Sequence, residues 1–173
     1  CLTKDPLMAM VGVKQTLNIK QDFQFSKLAV KTNKTMPLST VNKIKTFYSN
    51  KLNKLKILLL GVSYKEDIDD TRNSPSEFFL KKMNSLGAKV EVHDPIVRYW
   101  KEKKIYVSYN IPKVDKFDVI VFAVKHREYK KINFKKWKIK NGKFLIVDAN
   151  GVLTEKQINT LKSRKLNLIS IGR

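Results

Sequence analysis

The chain reads as an α/β protein in which an N-terminal helical segment is followed by a mostly parallel sheet domain. Two observations predict this. Apolar residues recur at helical spacing through residues 1–52, whereas from Leu55 short β-rich runs appear at 55–62, 88–93, 117–124, 144–148 and 167–171. Helix signals fill several of the intervals, the signature of strands that run parallel.

In the first segment Phe25, Leu28, Ala29 and Thr32 fall at i, i+3, i+4 and i+7, and Val41, Ile44 and Tyr48 continue the helical spacing beyond Pro37. Pro37 either kinks one helix or starts a new one. After the first strand, Ser74 is placed to cap a helix, Pro75 to occupy its first position, Glu77 to complete a capping box and Gly87 to end it. Thr154 and Gln157 form a second capping box ahead of Ile158 and Leu161. The segment around Tyr99 and Trp100 reads as a short helix after Asp94-Pro95. Residues 130–142, lysine-rich around Trp137, read as a solvated connection whose aromatics pack on the sheet.

Composition sets the outer limits. At 173 residues and 42% hydrophobic content the chain can bury one sizeable core with a smaller appended segment. No apolar run approaches the roughly 20 residues needed to cross a bilayer, and no secretory leader pattern opens the chain, so a cytoplasmic location is expected. The absence of an initiator methionine suggests a fragment. One cysteine excludes an internal disulfide framework, and with two histidines it makes no zinc set. The formal charge of +21, from 36 basic and 15 acidic residues, invites a nucleic-acid reading. The lysines, however, are spread along the chain and arginine is scarce, so compositional bias is the simpler cause. Such a surface still steers anionic substrates toward it.

The loop after the first strand, Gly61-Val62-Ser63-Tyr64-Lys65-Glu66-Asp67-Ile68-Asp69-Asp70-Thr71-Arg72, gathers a lysine, four acids and an arginine where α/β sheets keep ligands. The acids and Arg72 could equally serve the helix dipole and an internal ion pair. Lys65, Asp94, Lys125, His126, Asp148, Asn150 and Arg173 all follow strands and should converge on one sheet edge, a mixture suited to a phosphorylated ligand. Gly61 stands without a G-x-G-x-x-G, so pyrophosphate binding at this turn is not supported. Cys1 with Lys4 and Asp5 is a candidate nucleophile constellation, because an ammonium favours the thiolate; the alternative is an inert small hydrophobe. His93 and His126 read as structural histidines, Trp100 and Trp137 as packing residues.

Cys1-Leu2-Thr3-Lys4-Asp5-Pro6, Asn33-Lys34-Thr35-Met36-Pro37, Leu60-Gly61-Val62-Ser63-Tyr64-Lys65, Asp69-Asp70-Thr71-Arg72-Asn73-Ser74-Pro75 and His93-Asp94-Pro95 resemble successive motifs of the UDP-glucose/GDP-mannose dehydrogenase family. Ile171-Gly172-Arg173 resembles its closing segment. The resemblance implies a Rossmann-like sheet domain and an NAD-dependent enzyme that oxidises the C6 hydroxyl of a nucleotide sugar twice, giving a uronic acid for surface polysaccharide. By the same resemblance Cys1 forms a thiohemiacetal and then a thioester, Lys4 lies near the cofactor and Asp5 organises water and proton transfer. Tyr64, Lys65 and Arg173 contact the UDP-sugar, and Arg72 faces NAD.

Residues 1–52 correspond to the latter part of a central helical domain that builds a homodimer, and 53–173 to a C-terminal UDP-sugar-binding domain. The family's N-terminal NAD-binding Rossmann domain has no counterpart in this sequence, so the chain alone is not expected to oxidise substrate. Thr3 stands where many relatives have proline. Asn150-Gly151-Val152-Leu153 and the closing triplet lean toward an N-acetylhexosamine substrate. The alternatives are a non-catalytic nucleotide-sugar-binding module or remnant, and a basic nucleic-acid-binding domain. With no recognisable nucleic-acid motif and no long apolar run, no nucleic-acid partner and no membrane insertion are expected.

Overall fold

A computed structural model describes residues 5–18, 22–139 and 142–171; Cys1, Lys4 and Arg173 lie outside them. Its architecture is the predicted α/β one. Three helices, α1 (Asp5–Thr16), α2 (Gln24–Thr35) and α3 (Pro37–Phe47), precede β1 (Lys56–Leu60), α4 (Pro75–Ser85) and β2 (Lys89–His93). A two-stranded hairpin follows, β3 (Tyr99–Trp100) with β4 (Ile105–Tyr106), and then β5 (Val119–Phe122), α5 (Arg127–Lys130), β6 (Leu145–Asp148), α6 (Glu155–Ser163) and β7 (Asn167–Ser170). Pro37 starts a new helix directly after α2.

The main sheet has the order β2-β1-β5-β6-β7 and all four of its pairings are parallel. Its strands alternate between two apolar layers. Ile57, Leu59, Val119 and Val121 face α3 and α4, where Val41, Ile44, Phe79 and Met83 are buried. Leu58, Leu60, Ile120 and Phe122 face the opposite layer, filled by Tyr129, Phe134 and Leu161. Both faces of β1, β5 and β6 are covered, and so these strands read as continuous apolar runs.

Local chemistry explains the helix ends. The Ser74 hydroxyl accepts from the Ser76 amide, and Pro75 occupies the first turn. Glu77 does not complete a box: the Ser74 amide already donates to the Thr71 carbonyl, and the Glu77 carboxylate pairs with Lys103 at 2.9 Å and Lys81 at 3.1 Å. The helix closes through the Ala88 amide to the Met83 carbonyl and the Gly87 amide to the Asn84 carbonyl, with Gly87 at φ +84°, a Schellman ending. Thr154 and Gln157 form the expected reciprocal box at α6.

The segment around Tyr99 and Trp100 is a hairpin strand, not a helix. Asp94 Oδ1 accepts the Ile96 and Val97 amides, turning the chain after β2, and Lys104 at φ 55° closes the hairpin turn. Trp100 then points into the core while Tyr99 stacks on Tyr106 outside. Residues 134–136 form a 3-10 turn that buries Phe134 edge-on against Trp137, as expected of the lysine-rich connection. The Phe25–Thr32 stripe is helical, but Phe25 and Leu28 remain 85% and 61% exposed.

Candidate functional site

The strand order makes β1 the hinge of the sheet. From β1 the chain runs outward to β2, then crosses back to lay β5 on the other side of β1. The loops leaving β1 and β5 therefore diverge, opening the crevice where ligands bind in open α/β sheets.

At this point Gly61 has φ +100°, and a Cβ there would come 2.5 Å from Val124 Cβ. Glycine is required both for the backbone conformation and for the close approach. Beyond it the loop is fastened residue by residue. Asp94 Oδ2 accepts the Val62 and Ser63 amides at 2.9 and 3.3 Å, Tyr64 donates its amide to the Asp70 carbonyl, and Ser63 Oγ donates to the Lys65 carbonyl.

A cavity of about 390 Å³ occupies the crevice. Tyr64, Lys65 and Glu66 line it from the β1 loop, Asn33 and Thr40 from the helical segment, and Asn150 from the end of β6. Tyr64 and Lys65, two of the predicted substrate contacts, are thus brought together, with Lys65 as a cation beside amide and hydroxyl groups. Such a set suits a phosphorylated, hydroxyl-rich ligand.

A larger recess of about 670 Å³ lies around α5, next to Asp67, Tyr109 and Arg127. Its polar groups, the buried His93 and Tyr129 and the more exposed Asp67 and Arg127, already satisfy one another. His93 Nε2 bonds the Tyr109 carbonyl, its Nδ1 lies 3.1 Å from the Tyr129 hydroxyl, and Asp67 pairs with Arg127 Nε at 2.9 Å.

The other sequence-selected residues separate. Asp5 is exposed in the first turn of α1 and does not line the crevice. Arg72 also lies outside the lining; its side chain, 79% exposed, grips Asp70 through Nε and a terminal nitrogen at 3.0 and 2.7 Å. That grip holds the Asp70 carboxyl down at about 2. Lys125 is exposed, whereas Asp94, Asp148 and His126 turn inward. Asp148 accepts the Val152 and Leu153 amides, organising the loop after β6. Both histidines are structural, as their surroundings in the sequence suggested.

Asn33 and Thr40 line the crevice although pattern reading did not select them as site residues. Asn33 carried a signal, an amide next to Lys34 and shortly before Pro37, but nothing local says that α2 ends over the crevice.

A sequence profile described as "UDP-glucose/GDP-mannose dehydrogenase family, UDP binding domain" matches residues 58–155. The chain belongs to this family. Among relatives, it is 34% identical over 142 residues to UDP-N-acetyl-D-mannosamine dehydrogenase of Methanocaldococcus jannaschii, covering 82% of this chain and 30% of that protein. It is 29% identical over 140 residues to UDP-glucose 6-dehydrogenase of Rickettsia conorii, covering 78% of this chain and 32% of that protein. The crystal structure of NDP-N-acetyl-D-galactosaminuronic acid dehydrogenase from Methanosarcina mazei superposes with a TM-score of 0.81 at 27% identity, over 100% of this chain and 38% of that one. The chain therefore spans about a third of the length of these relatives.

The family name raises the question of a dinucleotide. The β1 turn does not fit one: the Val62 and Ser63 amides that a pyrophosphate would need are spent on Asp94, and Val124 fills the space beside Gly61. Among the described residues there is no group of three or more His, Cys, Asp or Glu that could hold a metal ion, and no helix is long and apolar enough to cross a membrane.

Proposed function

We propose that this chain is the substrate-nucleotide-binding part of an NAD-dependent nucleotide-sugar 6-dehydrogenase, which converts the C6 hydroxyl of a UDP-sugar to a uronic acid. The observation that carries the reading is the position of Tyr64 and Lys65 together on the crevice between the ends of β1 and β5. Lys65 supplies a point charge for the diphosphate, and Asn33, Thr40 and Asn150 supply donors and acceptors for ribose or sugar hydroxyls. Arg173, beyond the described residues, is proposed as a further substrate contact.

Residues 1–52 are assigned to a central helical domain and 53–173 to the UDP-sugar-binding domain. The exposed Leu7, Met8, Val11, Leu17, Phe25 and Leu28 support a homodimer built through the helical segment. Cys1 is the proposed nucleophile: its sulfur adds to the C6 aldehyde, oxidation of that adduct gives a thioester, and water releases the acid and the thiol. Lys4 supports the thiolate, and Asp5 holds the water or takes its proton. NAD supplies hydride acceptance; it is assigned to a domain outside these residues, with Arg72 on the face toward it. The enzyme would act in the cytoplasm and feed surface polysaccharide synthesis, on an N-acetylhexosamine-type UDP-sugar.

Titration calorimetry tests the carrying claim. UDP should bind the 173-residue chain, more weakly as salt rises, and Lys65→Ala should remove most of that affinity. Equal affinity for UDP in both proteins overturns the reading. In a polypeptide carrying an NAD-binding domain ahead of Cys1, Cys1→Ser should abolish acid formation, and normal turnover would exclude the covalent role. The occupied amides of the β1 turn favour one second reading, a nucleotide-sugar-binding module with no chemistry of its own. That module would bind UDP while the NAD-domain polypeptide formed no acid even with Cys1 intact.

A further inference from the structure

We propose that His126 is the positioning residue of the sugar-nucleotide loop, acting through its Nδ1 on the backbone amide of Asp67. This rests on the reading that Tyr64 and Lys65 meet the nucleotide. His126 does not line the crevice and is 0% exposed, so any effect it has on binding must pass through the loop.

The ring is fixed on both nitrogens. Nδ1 accepts the Asp67 amide at 3.0 Å, which places the ring proton on Nε2. Nε2 then donates to Asp94 Oδ2 at 3.1 Å, with Ser63 Oγ at the same distance. Asp94 Oδ2 is also the oxygen that receives the Val62 and Ser63 amides. One buried imidazole thereby joins the two ends of the segment that presents Tyr64, Lys65 and Glu66.

Asp67 gives the Nδ1 bond its leverage. Its φ of 57° is left-handed, a conformation that Asp adopts more readily than most side chains, and the loop turns there. The holding contacts are the amide bond to His126 and the carboxylate, whose Oδ1 accepts the Arg127 amide at 3.1 Å and whose Oδ2 pairs with Arg127 Nε. Releasing the amide leaves the far end of a three-residue span held through the Asp67 carboxylate alone, while its near end stays clamped on Asp94. Lys65 then samples positions from which it cannot meet a phosphate, and affinity is lost to that spread without any contact to the ligand being removed.

Two substitutions separate the ring's two bonds. His126→Gln places an amide nitrogen near the position of Nε2 and keeps the donor to Asp94, but loses the acceptor for Asp67. His126→Asn places an oxygen near Nδ1 and keeps that acceptor, but loses the donor. With UDP as the probe and the 173-residue chain as the protein, H126Q should weaken binding about five- to tenfold, with a Tm that falls no further than that of H126N and faster exchange of the Asp67 amide. H126N should bind UDP nearly as the parent does, although its Tm falls.

UDP affinity unchanged in H126Q, or affinity that simply tracks Tm through both variants, overturns the proposal. So does a ring-nitrogen NMR spectrum of the parent protein in which Nδ1 carries the proton, whatever the variants do. Lys65→Ala is run beside them: no effect of K65A defeats the nucleotide reading and this inference with it. Loss in K65A with none in H126Q defeats the inference alone.

Discussion

The Gly61 Cα stands so close to Val124 that a methyl group on it would lie 2.5 Å from Val124 Cβ and 2.8 Å from the Val124 amide nitrogen. The contact draws the ends of β1 and β5 together immediately below the crevice. Gly61→Ala must therefore either part the two strands or distort a backbone already at φ +100°. We expect a loss of about 2–4 kcal/mol in urea unfolding, summing overpacking and left-handed strain, with UDP affinity falling too because the loop origin moves.

Lys65 is the exposed cation on the crevice wall. Lys65→Ala should lower UDP affinity about ten- to a hundredfold, the range for a hydrogen bond to a charged group, and should flatten the salt dependence of binding. Titration at two ionic strengths reads both effects.

Arg72 provides the contrast. It sits outside the crevice lining and is spent on Asp70 at the surface. Arg72→Ala should leave UDP affinity within about twofold and stability nearly unchanged, as for other exposed pairs. A large loss of UDP affinity would move Arg72 from the cofactor side to the substrate side.

Acid should destabilise the chain in two stages. Burial lowers the His93 pKa below 6.5, so the unfolded chain takes up a proton that the folded one refuses, and stability falls as pH drops below that value. At Asp94 burial acts upward, but the bond from His126 and the amides of Val62 and Ile96 outweigh it and hold the carboxyl at about 2. A depressed carboxyl contributes above its unfolded value of about 3.9 and loses that contribution as pH falls toward 2. Melting temperature should thus be flat above pH 7, decline below pH 6.5, and decline again below about pH 4, where Asp70 and Glu77 add to the fall. Asp94→Asn should flatten the lower stage while lowering stability at neutral pH.

Much of this was legible because it is local. The capping box of Thr154 and Gln157, the Ser74-Pro75 helix start and the Gly87 ending each depend on residues within one turn, and five apolar runs placed five strands within two residues of their ends. The hairpin was not legible: its inward face is Trp100 and Ile105, too short a pattern to show a period of two, and the Asp94 turn that starts it is made by two amides. Phe25 and Leu28 announced a helix face but not what would cover it. Lys65 and Tyr64 could be assigned to a strand end, whereas the clamp behind them joins Ser63, Asp94 and His126, far apart in sequence and brought together only by the strand order.

A further tie spans the opposite edge of the sheet. The Tyr48 hydroxyl lies 3.0 Å from the Asp118 carbonyl and also reaches that of Lys143, fastening the end of α3 beneath β5 and β6. Burial and the Asp118 charge push this phenol well above its ordinary value, so it remains a donor throughout the physiological range. Tyr48→Phe should cost about 1 kcal/mol in thermal unfolding without changing UDP affinity.

The place of β1 between β2 and β5 also sets a schedule for the newborn chain. Ile57 pairs with Val90 on one side and with Val119 on the other, so β1 gains its second neighbour only after the hairpin and the 3-10 turn at 114–116 have been made. Until residue 122 leaves the ribosome, this strand of four apolar residues keeps one edge open to any passing chain. Slower translation between Gly61 and Phe122 should then lengthen that exposure and raise the share of chains lost to aggregation.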